Sequence, residues 1–140
     1  MLERANRNKE KAKADNVSFT ESVITEIALP DGTADCIISN CVVNLVPEQE
    51  KQLAFNEMFR LLKPGGRVAI SDILLKKELP QELKKSMALY VGCIAGASLI
   101  KDYEKYLREA GIGGKHWSLA HRISCHQNPA ADLIVVEQTS

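Results

Sequence analysis

The stretch Ile37–Pro47, IISNCVVNLVP, decides the fold of this chain. A mostly apolar run over Asp35–Ser39 ends in a polar, thiol-bearing break formed by Ser39, Asn40 and Cys41, and a second apolar run follows at once. A short, continuous apolar run is typical of a strand that is buried on both faces of a parallel sheet. Because ligands bind beyond the carboxyl ends of the strands in open α/β sheets, the break is a candidate binding position.

The residues alone also leave a purely structural interpretation open. Cysteine is among the residue types most often buried, so Cys41 would be a small core residue and Asn40 would cap the turn. No two of the four cysteines form a C-x-x-C pair, which argues against a zinc-ribbon or thioredoxin-like site. The N-terminal residues lack the apolar core of a secretory signal, so we expect free thiols in a reducing cytoplasm.

Helix and strand patterns alternate on both sides of this stretch. The segments with helical period or strong helix formers are residues 1–14, 47–62, 81–96 and 101–111. The segments with strand patterns are residues 16–21, 35–39, 67–75 and 133–138. Such alternation predicts an α/β sheet with parallel strands, within a single domain's length of chain. Residues 113–132 show little period and predict no defined element.

Composition excludes some partners. Lys plus Arg and Asp plus Glu both number 18, so net charge indicates neither a nucleic-acid partner nor an acidic membrane surface. No apolar run reaches the length that crosses a bilayer. The composition, with 45% apolar and 26% charged residues, is ordinary for a globular protein.

Three segments together resemble the arsenite methyltransferases, which are S-adenosylmethionine-dependent enzymes of the Rossmann-like methyltransferase class. They are DCIISNCVVNLVP (35–47), FNEMFRLLKPGGRVAISDI (55–73) and LYVGCIAGA (89–97). The resemblance runs to about Gly111. It implies a Rossmann-like methyltransferase sheet with helices on both faces. It also implies a partial methyltransferase domain over residues 1–112 and a divergent tail over residues 113–140.

The resemblance implies that Cys41 and Cys93 are the catalytic thiols and the ligands of trivalent arsenic, supplied as arsenite or its thiol conjugates. The chemistry suits these residues because trivalent arsenic is soft and prefers thiolates to carboxylates or imidazoles. The enzyme's task is then mainly to align the arsenic with the methyl group. That Cys93 is only packed among its small neighbours stays open. Cys36, within the predicted strand, matches no ligand position.

The resemblance also implies contacts to the methyl donor, S-adenosylmethionine. The family's adenine-contacting segment falls on Ser22, Val23 and Ile24, and Asn40 falls where the family approaches the donor's methionine end. Asp72 ends the next predicted strand on the same side of the sheet. It would either shape the acceptor pocket or remain a solvated strand end.

The sequence departs from the class at its start. The first strand with its D-x-G-x-G loop, and the second strand with its ribose-binding acid, have no counterpart here. The opening MLERANRN resembles the helix that follows that second strand, so Met1 would be an internal methionine of a longer protein. The expected sheet therefore lacks the first two strands. The strand over Asp35–Ser39 would keep an unpaired edge, with marginal stability or self-association as its consequence.

Two other functions remain open from the sequence. The chain would be a non-catalytic remnant that binds metalloid or a partner subunit, because the donor loop is absent. It would alternatively be a methyltransferase of the same fold that acts on a quinone or other small organic molecule. The paired thiols, Cys41 and Cys93, argue against the second alternative because such acceptors need no soft ligands.

Overall fold

The structure, a computed structural model, describes residues 1–78, 94, 96–112, 117–124 and 131–138, the last two ranges by their backbone. The helices are α1 (Leu2–Ala12), α2 (Lys51–Leu61) and α3 (Ile100–Glu109). The strands are β1 (Ala34–Asn40), β2 (Leu62–Leu75), β3 (Trp117–Ser124) and β4 (Ala131–Gln138). Two single 3₁₀ turns, Val43–Leu45 and Glu48–Glu50, connect β1 to α2.

The described strands form one mixed sheet in the order β1-β2-β4-β3. β1 and β2 are parallel, with Ile37 opposite Val68 and Asn40 opposite Ser71. β2 continues to Leu75, four residues beyond the end of β1. β4 is antiparallel to both β2 and β3. The expectation of parallel strands is therefore right for β1 and β2 and wrong for the C-terminal pair. A parallel pair needs a long crossover such as α2, whereas the short connection from β3 to β4 permits an antiparallel hairpin.

The main core lies between one face of β2 and the helices α2 and α3. Its buried members are Val43, Phe55, Met58, Val68, Ile70, Leu74, Tyr103, Leu107, Ala110 and Ile112. Phe55 is fully buried, meets the ring of Tyr103 edge-on at 5.0 Å and stacks on Tyr106 at 5.8 Å. Alternate residues of β2 supply the core, which is the period of a strand with one buried face.

Several boundaries differ from the sequence-based expectations. Residues 16–21 form no strand. Their apolar and polar residues alternate as in a strand, but Phe19, one of the apolar residues, is exposed and packs on no sheet. β2 begins at Leu62, earlier than the expected Arg67. Leu62 already pairs with Ala34 of β1, and the register between the two strands shifts before Cys36 pairs with Arg67. Most of the helix expected over residues 81–96 lies outside the described residues. β3 and β4 join the sheet of β1 and β2, and the division at residue 112 stays a prediction.

Among the described residues, β1 pairs only with β2 and its other edge has no strand beside it. Ile38 lies on the face of β1 that turns away from the core and is 80% exposed. The expected unpaired edge is thus present in this part of the chain, and self-association through it stays a prediction. None of the described helices has the length and apolar character needed to traverse a lipid bilayer.

Candidate functional site

Cys41 follows directly on β1 in a conformation that side chains rarely adopt. Its φ is +54°, in the left-handed region, and its backbone amide donates a 2.8 Å hydrogen bond to the carbonyl of Ser71 in the neighbouring strand β2. The residue is half-buried, so it is not a fully enclosed core cysteine. Such conformations persist only where the surroundings enforce them, and they concentrate at functional sites. Cys41 is therefore held firmly by its backbone and remains partly accessible.

The 3₁₀ turn after Cys41 buries Val43 and Asn44 and meets the segment that follows the predicted second thiol. Asn44 is 1% exposed, and its Nδ2 donates a 2.8 Å hydrogen bond to the carbonyl of Ile73. A Cβ added to Gly96 would lie 2.0 Å from the Asn44 carbonyl oxygen, so only glycine permits this approach. Asn44 is three residues beyond Cys41 and Gly96 is three residues beyond Cys93. Cys93 itself lies outside the described residues, and its role stays a prediction.

Asp72 lies under this turn and is almost wholly buried. Its exposed fraction is 1%, and its Oδ2 accepts a 3.2 Å hydrogen bond from the hydroxyl of Tyr103. Burial raises the pKa of Asp72 to about 6, although the Tyr103 hydrogen bond, the charge of Lys51 and the Val43 amide act in the opposite direction. The interpretation of Asp72 as a solvated strand end is therefore wrong.

Asp72→Asn should change the pH dependence of stability. The pKa of Asp72 is about 6 in the folded chain against an ordinary value of 3.8, so between these values the folded state keeps a proton that the unfolded chain releases. The resulting stabilisation is complete below 3.8 and is lost as the pH rises through about 6. We expect urea unfolding at about pH 5 and about pH 7.5 to show the parent losing stability relative to the variant. Parallel pH profiles would contradict this.

The segment expected to contact adenine lies beside the turn after Cys41. Val23 and Ile24 contribute to a cavity of about 360 Å³ that is also lined by Thr25, Val42, Leu45, Val46, Pro47 and Glu50. Ser22 is exposed next to this lining, and its Oγ accepts a 3.1 Å hydrogen bond from the amide of Ala28. Asn40 is exposed at the end of β1 and does not line the cavity. Of the four residues expected to contact the donor, Val23 and Ile24 thus line one cavity with the turn after Cys41, and Ser22 and Asn40 do not.

A larger cavity of about 550 Å³ lies at the opposite end of β2, around Gly65 and Gly66. Strand β2 begins there, whereas open α/β sheets bind ligands beyond the carboxyl ends of their strands. The cavity of about 360 Å³ beside the turn after Cys41 is the candidate site, because Val23 and Ile24, two of the expected donor contacts, line it.

One buried polar contact near the site was absent from the sequence-based expectations. Lys51, the first residue of α2, has no exposed surface, and its ammonium lies among polar atoms of Gly96 and Ser98. Lys51 follows Glu48-Gln49-Glu50, a charged run that is typical of a solvated helix start. No periodicity in the sequence distinguishes this buried lysine from an exposed one.

Comparison with known proteins identifies relatives of this chain. A family model described as a methyltransferase domain matches residues 1–111. An arsenite methyltransferase of Halobacterium salinarum is 41% identical over 112 residues, which are 80% of this chain and 28% of that protein. The arsenite methyltransferase of Mus musculus is 38% identical over 103 residues, which are 71% of this chain and 27% of that protein. The chain thus spans little more than a quarter of the length of these relatives.

Solved structures give the same result for the fold. An arsenic(III) S-adenosylmethionine methyltransferase from Chlamydomonas reinhardtii superposes with a TM-score of 0.72 at 29% sequence identity. The match covers 89% of this chain and 44% of that one. The predicted α/β class with a Rossmann-like methyltransferase fold is therefore confirmed, and so is the resemblance to arsenite methyltransferases.

Proposed function

Because this chain belongs to the methyltransferase domain family, we propose that it carries the arsenic-binding part of an S-adenosylmethionine-dependent arsenite methyltransferase. The observation that carries this proposal is the contact between Asn44 and Gly96, each three residues beyond a thiol that the resemblance names. Three residues of chain span at most about 10 Å. This bound is compatible with Cys41 and Cys93 binding arsenic together at one site, which is part of the proposal.

Cys41 and Cys93 are the proposed ligands of trivalent arsenic, which is the substrate. Thiolates suit a soft centre and leave its lone pair directed outward. S-adenosylmethionine would supply a methyl group on a sulfonium sulfur. The arsenic lone pair would form the new bond to the methyl carbon, and the electron pair of the broken carbon–sulfur bond would stay on that sulfur. The chain's own contribution is to hold the thiols so that the lone pair points at the donor side of the sheet.

The residues next to the site fit the donor. Val23 and Ile24 offer apolar surface in the cavity beside the Cys41 turn, which suits the flat face of an adenine. Ser22 and Asn40 add polar groups at the edge of this region. We propose that Ser22, Val23 and Ile24 contact the adenine and that Asn40 approaches the methionine end. Free thiolates require a reducing compartment, so the proposed location is the cytoplasm.

Native mass spectrometry of the reduced chain with arsenite tests the proposal. We expect one arsenic per parent chain, and a loss of affinity of at least about tenfold in both Cys41→Ser and Cys93→Ser, because each variant removes one thiolate ligand. Cys36→Ser is the matched control, since Cys36 lies within β1 and is not a proposed ligand. A folded parent that binds no arsenic would overturn the proposal. Arsenic binding without methyl transfer from added S-adenosylmethionine would leave the metalloid-binding alternative.

A further inference from the structure

Arg60, in the last turn of α2, uses every hydrogen-bond donor of its guanidinium within the protein. Its Nε donates to Glu57 Oε2 at 2.8 Å, and its Nη2 donates to Glu57 Oε1 at 2.6 Å and to the Ile27 carbonyl at 3.0 Å. Its Nη1 donates to the Leu29 carbonyl at 2.9 Å and to Asp31 Oδ1. A guanidinium has five N–H donors in a fixed planar fork, so this set of acceptors matches it completely.

Glu57 joins the same helix to the same segment a second time. Its Oε1 also accepts a 2.6 Å hydrogen bond from the amide of Ile27, so the amide and the carbonyl of Ile27 are both bound by α2. The hydrogen bond from Arg60 lowers the pKa of Glu57, so this carboxylate is charged at neutral pH. The Glu57 side chain is 9% exposed and that of Arg60 is 32% exposed, whereas that of Asp31 is 80% exposed. The contact with Asp31 is therefore the weakest of the set.

The loop of residues 22–28 is not held in place by core packing. It contains no helix and no strand of the sheet, and none of its residues is buried. Two hydrogen bonds of 3.1 Å close it on itself, from the amide of Glu26 to the Val23 carbonyl and from the amide of Ala28 to Ser22 Oγ. The loop is thus one closed unit, and its position depends on the contacts with α2.

This loop forms part of the wall of the cavity beside the turn after Cys41. Val23 and Ile24 line that cavity together with residues of the turn. Arg60 does not line it and reaches it only through the backbone of the loop, at Ile27. Because the position of an apolar wall decides how closely a flat ring is enclosed, a shift of the loop would change what the cavity can bind.

We propose that Arg60 is a positioning residue that holds the loop 22–28 against α2 and thereby sets the affinity of this cavity for the adenine part of the donor. This inference rests on the proposed function for its ligand. A partly exposed ion pair contributes little by itself. A planar fork that spans two carbonyls and a carboxylate instead fixes the geometry of the groups that it joins.

Arg60→Lys tests this role because it keeps the positive charge and cannot span the acceptors of the guanidinium. The matched control is Arg108→Lys, at an exposed arginine of α3. A second variant, Glu57→Gln, keeps the side-chain size and an oxygen for the amide of Ile27 but removes the charge. The readouts are the affinity for S-adenosylhomocysteine by calorimetry without arsenite, the hydrogen-exchange rate of the Ile27 amide by NMR, and urea unfolding.

We expect Arg60→Lys to speed exchange of the Ile27 amide and to weaken S-adenosylhomocysteine binding, each by about tenfold, while Arg108→Lys matches the parent. Glu57→Gln should give smaller changes in the same direction, which keeps a test should Arg60→Lys not fold. A purely structural role would lower stability in urea and leave the affinity of the folded chain unchanged. Unchanged affinity in both folded variants would therefore overturn the proposal.

The design separates this proposal from the proposed function. If the parent binds no S-adenosylhomocysteine but its Ile27 exchange depends on Arg60, the donor contact fails and only the positioning of the loop stands. If the parent binds S-adenosylhomocysteine with an affinity that depends on neither Arg60 nor Glu57, the positioning role fails and the donor contact stands.

Discussion

Gly96→Ala should destabilise the chain by about 3 kcal/mol or more, at the upper end of what overpacking costs, and should abolish arsenite binding. The added Cβ would lie 2.0 Å from the Asn44 carbonyl oxygen and 3.2 Å from its carbonyl carbon. Both are backbone atoms, so no side-chain rotation relieves the overlap. Either the Gly96 segment or the turn after Cys41 must move, and the move separates the two parts of the proposed site.

Gly65→Ala is the control for the general cost of adding a methyl group to a glycine. Gly65 has a φ of +80° and open space around its Cβ position, so alanine there meets backbone strain without a clash. The expected cost is about 1 kcal/mol, with arsenite binding unchanged because Gly65 lies at the far end of β2. Urea unfolding and arsenite titration measure both effects. Equal losses in the two variants would contradict the proposed contact.

Phe55→Ala should remove about 3–5 kcal/mol from the free energy of unfolding, which is a large share of a typical domain's stability. Phe55 has no exposed surface, and its ring contacts those of Tyr103 at 5.0 Å and Tyr106 at 5.8 Å. Truncation leaves a cavity where α2, α3 and β2 meet, and surrounding side chains fill such cavities only partly.

Phe59→Ala is the matched control because Phe59 lies on the same helix, one turn later, and is 50% exposed. Its truncation removes less buried surface and should cost about 1 kcal/mol. Equilibrium unfolding in urea, followed by far-ultraviolet circular dichroism, distinguishes the two. Similar costs for both variants would show that the ring of Phe55 does not organise the core in the way the structure describes.

Local sequence patterns correctly predicted the helices and the strand in the middle of the chain. The apolar stripe through Phe55 and Met58 predicted α2, and both residues are buried on its core face. The run before Cys41 predicted β1, and Gly111, with a φ of +86°, follows α3 as a helix stop should. These features depend on residues close in sequence, which is why a sequence pattern records them.

The pairing of strands that are far apart in the chain was harder to predict from the sequence. β3 was not predicted, because residues 117–124 show little alternation and acquire strand structure by pairing with β4. Residues 16–21 show the reverse case, with alternation but no partner strand among the described residues. A strand requires a partner edge, and no local pattern states where that edge is.

The sequence by itself determined the methyltransferase class, the parallel β1–β2 pair and the position of Cys41 at a strand's carboxyl end. Only the tertiary structure decided that Lys51 and Asp72 are buried, and that Gly96 rests on the backbone of Asn44. The physical reason is that burial and close approach are properties of segments far apart in the chain. A lysine in a charged run and a glycine in a small-residue run look the same in sequence whether or not another segment covers them.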